Sequence, residues 1–242
     1  MRHPRAAGLV LAGGLLLAAA PAAAQTTDSL RLTGDLGIVS TSGNTELTTV
    51  NVGEEVRWWR GRLTLGQTFA LVYGRSGGAT TSALWRGGVR GDYALVEAIS
   101  AYALVAYDRD RFTGIARRFE EGGGIAVGFI RSTRNRVEAE AGLSLIQQRS
   151  TVGLQDDFAS ARGAATYAHH FTEQTYFRQL IEATANLEDG SDYRVTSESA
   201  LVAPLSRRLA LKISYVVRFD HQPEPGFRKT DRLLTSGLQF TL

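Results

Sequence analysis

The chain of 242 residues carries 27 Lys and Arg residues, 24 Asp and Glu residues and no cysteine. The absence of cysteine excludes disulfides and thiolate metal sites, and the near balance of charge argues against a nucleic-acid-binding surface. Arg2 and Arg5 are the only charged residues among residues 1–24, so the rest of the chain is almost neutral.

Residues 1–24 have the pattern of a secretory signal peptide. A basic start is followed by an apolar run over residues 9–20 and by a small-residue end. The apolar run is too short to cross a bilayer as a helix. We therefore expect cleavage after Ala24 and export of residues 25–242, in which no apolar run is long enough for a helical membrane span.

From residue 30 onward, apolar and polar residues alternate in segments of roughly ten residues, the length of a tilted membrane-spanning strand. Gly, Asn, Asp and Ser clusters separate the segments and indicate turns. The strands are predicted near residues 30–38, 47–59, 63–73, 83–95, 101–107, 119–129, 137–148, 159–167, 177–187, 193–203, 209–219 and 231–242. The pattern predicts an all-β protein, a transmembrane antiparallel up-and-down β-barrel of about 12 strands over residues 25–242.

The last predicted strand places Leu234, Leu238, Phe240 and Leu242 on one face. A closed barrel leaves no edge strand exposed, so we expect residues 231–242 to pair with the first strand, near residues 30–38. Glu54, Gln67 and Gln179 depart from this alternation by lying on the apolar face, either because they are near a membrane interface or because a β-bulge resets the phase. The adjacent Gly53 favours a bulge at Glu54.

Twelve charged residues near the middle of the predicted strands fall on the face opposite the large apolar residues. Facing hydrocarbon, each Lys or Arg at mid-depth would cost roughly 2–4 kcal/mol, so we expect these residues to line the lumen and the apolar face to contact outer-membrane lipid. The predicted lumen-lining residues are Arg86, Arg90, Asp92, Glu138, Glu140, Arg162, Arg178, Glu182, Arg194, Glu198, Lys212 and Arg218.

Few residues suggest catalysis. A lipid hydrolase would need a nucleophile beside a base, and the candidate bases after residue 24 are His169, His170 and His221. Adjacent residues on a strand point to opposite faces, so His169 and His170 make a poor metal site. The run from Asp108 to Arg111 fits a self-paired charged loop at the end of a strand, or a site for a divalent ion or an anionic headgroup.

Four stretches resemble the salt-induced outer membrane protein family, also called domain of unknown function 481. They are Ser42-Gly43-Asn44-Thr45-Glu46, residues 107–112, the glycines 122–124, and residues 219–231. The resemblance implies a Gram-negative outer-membrane barrel and does not imply a mechanism. Barrels of this kind often end in an aromatic residue, so we expect the barrel assembly machinery to recognise Phe240 and Leu242 together.

The sequence thus favours an integral outer-membrane barrel that is structural or forms a narrow passive pore, without catalytic activity, cofactor or metal. Two alternatives remain open at this point: an outer-membrane lipid hydrolase and a periplasmic lipocalin-like binding barrel. The inward charges either line an open lumen or pair with one another and plug it.

Overall fold

A computed structural model describes residues 28–41, 47–76, 79–110 and 113–241. The predicted signal peptide, its cleavage site and Leu242 lie outside the described residues. In the described part of the chain, no helix has the length and apolar character needed to cross a membrane.

Twelve antiparallel strands close into one barrel, in which each strand pairs with its neighbours in the sequence and β1 pairs with β12. The strands are β1 (Ser29–Thr41), β2 (Leu47–Arg60), β3 (Leu63–Ser76), β4 (Ala79–Val96), β5 (Ile99–Asp110), β6 (Ile115–Arg131), β7 (Asn135–Ser150), β8 (Gln155–His170), β9 (Tyr176–Asn186), β10 (Tyr193–Pro204), β11 (Leu209–Asp220) and β12 (Thr230–Thr241). The predicted all-β, up-and-down barrel of twelve strands is confirmed.

Because the strand count is even, β1 begins at the same end of the barrel at which β12 ends. We call this the terminus end. The opposite end, which we call the loop end, carries the β5–β6, β7–β8, β9–β10 and β11–β12 connections. The closing strand pairs with β1 as expected, with Thr33 opposite Thr241 and Leu36 opposite Leu238. Among the described residues that pairing covers four positions, from Thr33 to Leu36 of β1, whereas β1 pairs with β2 over its whole length.

The two faces of the sheet differ in solvent exposure and polarity, as the alternation predicts. Along β7, Leu143 and Leu145 are 63% and 57% exposed, while Ser144 and Ile146 between and after them are 3% exposed. The same contrast places Leu234 of β12 outside at 67% exposure and Gln239 inside at 7%. The outer wall is therefore largely apolar, and the interior contains most of the strands' charged and polar side chains.

The prediction of a bulge at Gly53 and Glu54 is wrong. Both residues keep a continuous register with β1 and with β3, where Glu54 lies opposite Gly34 and Phe69. Glu54 is exposed on the outer wall, and Gly34 has no side chain to crowd its carboxylate, so the strand needs no extra residue there. The register shifts lie elsewhere, for example between Gly74 and Arg75 of β3.

Candidate functional site

Ion pairs between strands that are not neighbours define the centre of the interior. Arg90 of β4 donates from Nη1 to Glu140 Oε2 of β7 at 2.8 Å, although β5 and β6 separate the two strands. The same Glu140 oxygen accepts from Arg162 Nη1 of β8 at 2.7 Å, and Arg162 also pairs with Glu182 of β9. Glu140 therefore joins two arginines by hydrogen bonds that lie in the interior of the barrel.

Tyr102 of β5 completes this group, which we call the central cluster (Arg90, Tyr102, Glu140, Arg162 and Glu182). Its ring centroid lies 4.2 Å from the guanidinium carbon of Arg90 and 5.6 Å from that of Arg162. Its hydroxyl accepts from Arg162 Nη1 at 3.1 Å, and the side chain is 5% exposed. Both arginines are thus held by carboxylates and by the face of one aromatic ring.

Two glycines make room for Tyr102. A Cβ on Gly124 of β6 would lie 2.8 Å from the tyrosine hydroxyl, and one on Gly142 of β7 would lie 2.5 Å from it. Gly124 and Gly142 are paired in register, so they form a bare patch on the inner wall. The tyrosine can lie against this patch because neither glycine has a side chain that would displace it.

A second group of charges lies nearer the loop end. Asp108 of β5 is 4.0 Å from both Arg86 of β4 and Arg118 of β6. Asp110 of β5 accepts from Arg218 Nη1 of β11 at 3.3 Å. Six steps separate β5 from β11 in a barrel of twelve strands, so this pair reaches from one side of the interior to the other.

The expectation that Asp108 and Asp110 belong to a charged loop is wrong. Strand β5 continues to Asp110, and the two carboxylates are 8% and 7% exposed. They face inward because they have the same phase as Tyr102 on the strand, and arginines of other strands contact them there. Arg111 lies outside the described residues.

Nearer the terminus end, Lys212 of β11 pairs with Asp35 of β1 across the intervening β12. Gln239 of β12 donates from Nε2 to the other oxygen of Asp35 at 3.0 Å. The closing strand and both of its neighbours are therefore linked by side chains as well as by the ladder.

Comparison with known proteins gives a family. Residues 34–242 match the family described as "Protein of unknown function, DUF481". The chain belongs to this family. No curated protein matches it in sequence.

Solved structures match this DUF481 protein at low sequence identity. A structure described as the NanC porin is 10% identical, with a TM-score of 0.55 over 88% of this chain and 100% of that chain. The KdgM porin in complex with disordered oligogalacturonate is 8% identical, with a TM-score of 0.48 over 88% of this chain and 98% of that chain. The translocator domain of the autotransporter NalP from Neisseria meningitidis is 10% identical, with a TM-score of 0.47 over 90% and 89%. The similarity to the NanC porin concerns the fold.

Most of the twelve predicted lumen residues of the DUF481 protein make polar contacts with side chains of other strands. Arg194 donates to Asp220 at 2.8 Å, and Glu198 accepts from the Ser214 hydroxyl at 3.1 Å. Arg178 is half-buried between the paired alanines of β8 and β10, and Glu138 lines a recess near the β6–β7 turn. That all twelve line one lumen stays a prediction. The contacts described above account for Arg86, Arg90, Glu140, Arg162, Glu182, Lys212 and Arg218, and Asp92 accepts from Arg90 at 2.7 Å.

The sequence reading of the site missed Tyr102, Asp35 and Arg118. Tyr102 lies between Ala101 and Ala103, which have the outward phase, so the alternation already placed the tyrosine inside. The alternation cannot show that Tyr102 meets arginines from β4 and β8, because it carries no information about contacts across the barrel.

The histidines lie apart from any serine hydroxyl partner among the described residues. His169 Nδ1 lies 2.8 Å from Asn135 Oδ1, and its ring packs edge-on against Phe171. His221 Nδ1 bonds the backbone carbonyl of Ser191 at 2.8 Å, while the Ser191 hydroxyl donates to Asp189 at 2.6 Å. The described part of the chain also contains no group of three or more His, Asp or Glu residues arranged to hold a metal ion.

We expect Glu140→Gln to destabilise the barrel, because the substitution leaves Arg90 and Arg162 with less compensating charge. Removing one member of a buried ion-pair network costs roughly 3 kcal/mol. The measurement is equilibrium urea unfolding in lipid vesicles, monitored by tryptophan fluorescence.

Glu138→Gln is the matched control, because Glu138 lies on the same strand and face but outside the central cluster. We expect this variant to stay within about 0.5 kcal/mol of the unmodified protein. An equal loss in the two variants would contradict the role assigned to Glu140.

Proposed function

We propose that the protein is an integral β-barrel of the Gram-negative outer membrane that acts as a narrow passive pore for ions and small hydrophilic solutes. The observation that carries this proposal is the inverted distribution of side chains. Large apolar residues such as Leu143 and Leu234 are more than 60% exposed, whereas Asp108 and Ser160 are at most 8% exposed. A wall of this kind is stable in hydrocarbon, which solvates the apolar side chains.

Aromatic side chains support placement in a bilayer. At the loop end Tyr193 stacks on His221 with ring centroids 4.8 Å apart, and Trp85 stacks on Tyr107 at 4.7 Å. At the terminus end His169 packs against Phe171. Aromatic rings at both ends of the strands are typical of the two membrane–water interfaces.

The polar interior supports a pore and also sets its size. A barrel of twelve strands lies between filled eight-stranded barrels and the open channels of sixteen strands or more. Here the central cluster and the Asp110–Arg218 pair extend into the interior, so a permeating species must pass charges of both signs. Such a path suits small hydrated ions and hydrophilic solutes, and the Arg and Glu side chains along it would determine charge selectivity.

The other functions considered find less support. A lipocalin-like binder needs an apolar interior and a polar exterior, which is the reverse of this wall. A lipid hydrolase needs a serine activated by a base, and the Ser191 hydroxyl instead donates to Asp189.

Export and assembly complete the proposal. Residues 1–24 would direct the chain out of the cytoplasm and be removed after Ala24. Phe240 is 45% exposed on the outer wall close to the terminus end, where it is accessible to the barrel assembly machinery and to lipid. Leu242 would contribute to the same recognition.

Placement of the apolar wall in lipid predicts a position-dependent effect of arginine. Leu143→Arg, at the middle of β7, should lower the free energy of unfolding in vesicles by roughly 2–4 kcal/mol. Val152→Arg, in the exposed β7–β8 turn, should change it by less than about 0.5 kcal/mol. Urea unfolding of both variants provides the measurement, and similar values for the two would show that the wall does not face hydrocarbon.

The pore itself is tested by conductance in planar lipid bilayers. We expect small discrete current steps, and we expect Arg90→Glu to increase the preference for cations because it reverses one of the two positive charges of the central cluster. Arg149→Glu is the control, because Arg149 is exposed on the outer wall near the end of β7. A bilayer that stays silent at all voltages with correctly folded protein would overturn the pore and leave a structural barrel.

A further inference from the structure

The connection between β11 and β12, residues 221–229, is the longest between any two strands of the barrel. We call it the crossing loop. Asp220 donates its backbone N–H to Lys229 O at 2.8 Å and so closes the base of the loop. Phe227 donates its N–H to Glu224 O at 3.0 Å, and Gly226 adopts a φ of 90°, so the tip is a tight turn.

The tip of the crossing loop contacts the β5–β6 connection at Gly114. A Cβ on Gly114 would lie 2.6 Å from Glu224 Cβ and 3.0 Å from the Phe227 ring. The Gly114 carbonyl accepts from Thr151 N of the β7–β8 turn at 2.8 Å. The connection that receives the tip is therefore fixed to its neighbour on the barrel rim.

This contact spans the mouth of the barrel. The β5–β6 and β11–β12 connections lie on opposite sides, six strands apart in a ring of twelve. Directly below them, the Asp110–Arg218 pair joins β5 and β11. A backbone segment and an ion pair thus cross the same end of the interior along the same direction.

Glu224 lies in the half-buried part of the loop. Burial raises the pKa of its carboxyl, and the positive charges of Arg194 and Arg118 oppose that rise. Asp220 and Asp156 add to it. The electrostatic environment of this carboxyl therefore includes charged side chains of the loop end.

We propose that Glu224, held over the mouth by docking of the crossing loop on Gly114, selects solutes by charge where they enter the pore. The inference rests on the proposed pore function. A carboxylate over a narrow opening attracts cations and repels anions. Gly114 is the positioning residue, because its φ of 85° disfavours other residues and any Cβ would collide with the loop.

Docking can be tested without any current measurement. The chain has no cysteine, so a Gly114→Cys, Glu224→Cys double variant contains a single possible intramolecular disulfide. A disulfide needs Cβ atoms about 3.5–4.5 Å apart, which a small outward shift of the loop provides. We expect oxidation of the folded protein in vesicles to give a crosslink, detected by mass spectrometry of unreduced peptides.

Gly153 provides the matched control. Its φ of 93° resembles that of Gly114, but no atom lies within 4 Å of the position that its Cβ would occupy. Gly153→Cys combined with Glu224→Cys introduces the same backbone strain and should not crosslink. Failure of the Gly114 pair to crosslink, or equal crosslinking of the two pairs, would overturn the docking.

Selectivity is tested by the cation-to-anion permeability ratio in a salt gradient. We expect Glu224→Lys to lower the ratio at least about fivefold, because one unit charge at about 4 Å gives that factor in water and the substitution changes the charge by two units. Glu173→Lys, in the exposed turn at the terminus end, should leave the ratio unchanged. In a Gly114→Val background, where the branched side chain is too large for the small loop shift that a cysteine requires, Glu224→Lys should have a much smaller effect, whereas Gly153→Val should preserve it.

The crosslinking test and the selectivity test distinguish a failure of this inference from a failure of the proposed pore function. If the Gly114 pair crosslinks but no variant conducts current, the loop arrangement is correct, and both the pore and the selection by Glu224 are wrong. Conducting channels whose permeability ratio is the same with Glu224 and with lysine at that position would retain the pore and overturn the role of Glu224.

Discussion

A closed antiparallel sheet has only two faces, and every residue of a strand must take one of them. In this barrel the outer face is largely apolar, so most charged side chains near the middle of the strands have to be accommodated inside. Charges confined to a small volume are stable only when opposite charges meet there. The bonds that Glu140 makes to Arg90 and Arg162 follow from this confinement, as does the bond between Lys212 and Asp35.

The same confinement limits what the interior can do. The paired charges neutralise one another across the interior, and the Tyr102 hydroxyl lies beside two paired glycines of β6 and β7. The space that remains for solute is whatever these contacts leave free. A barrel with a plugged lumen and a barrel with a narrow pore therefore differ by side-chain rearrangements in the interior rather than by a change of fold.

Alternation predicted the twelve strands, because a strand has a period of two. The partner of the closing strand followed from the need to leave no exposed edge, and the inward phase of residues such as Arg162 followed from the cost of placing charges in lipid. Alternation failed at Gly53, where a charged residue on the outer wall suggested a bulge that the paired Gly34 makes unnecessary. It also failed at Asp110, whose partner on β11 lies 108 residues away. Contacts across the interior depend on barrel curvature and stagger, which a local pattern does not encode.

The short ladder between β1 and β12 has a consequence for the order of folding. Every other neighbouring pair of strands is joined by a turn, so its register is set locally and at small entropic cost. The pairing of Thr33 with Thr241 joins segments that are more than 200 residues apart, and no turn connects them. This junction therefore forms last, after the hairpins have brought its two strands together, and under mechanical or thermal stress it is the first place at which the cylinder unzips.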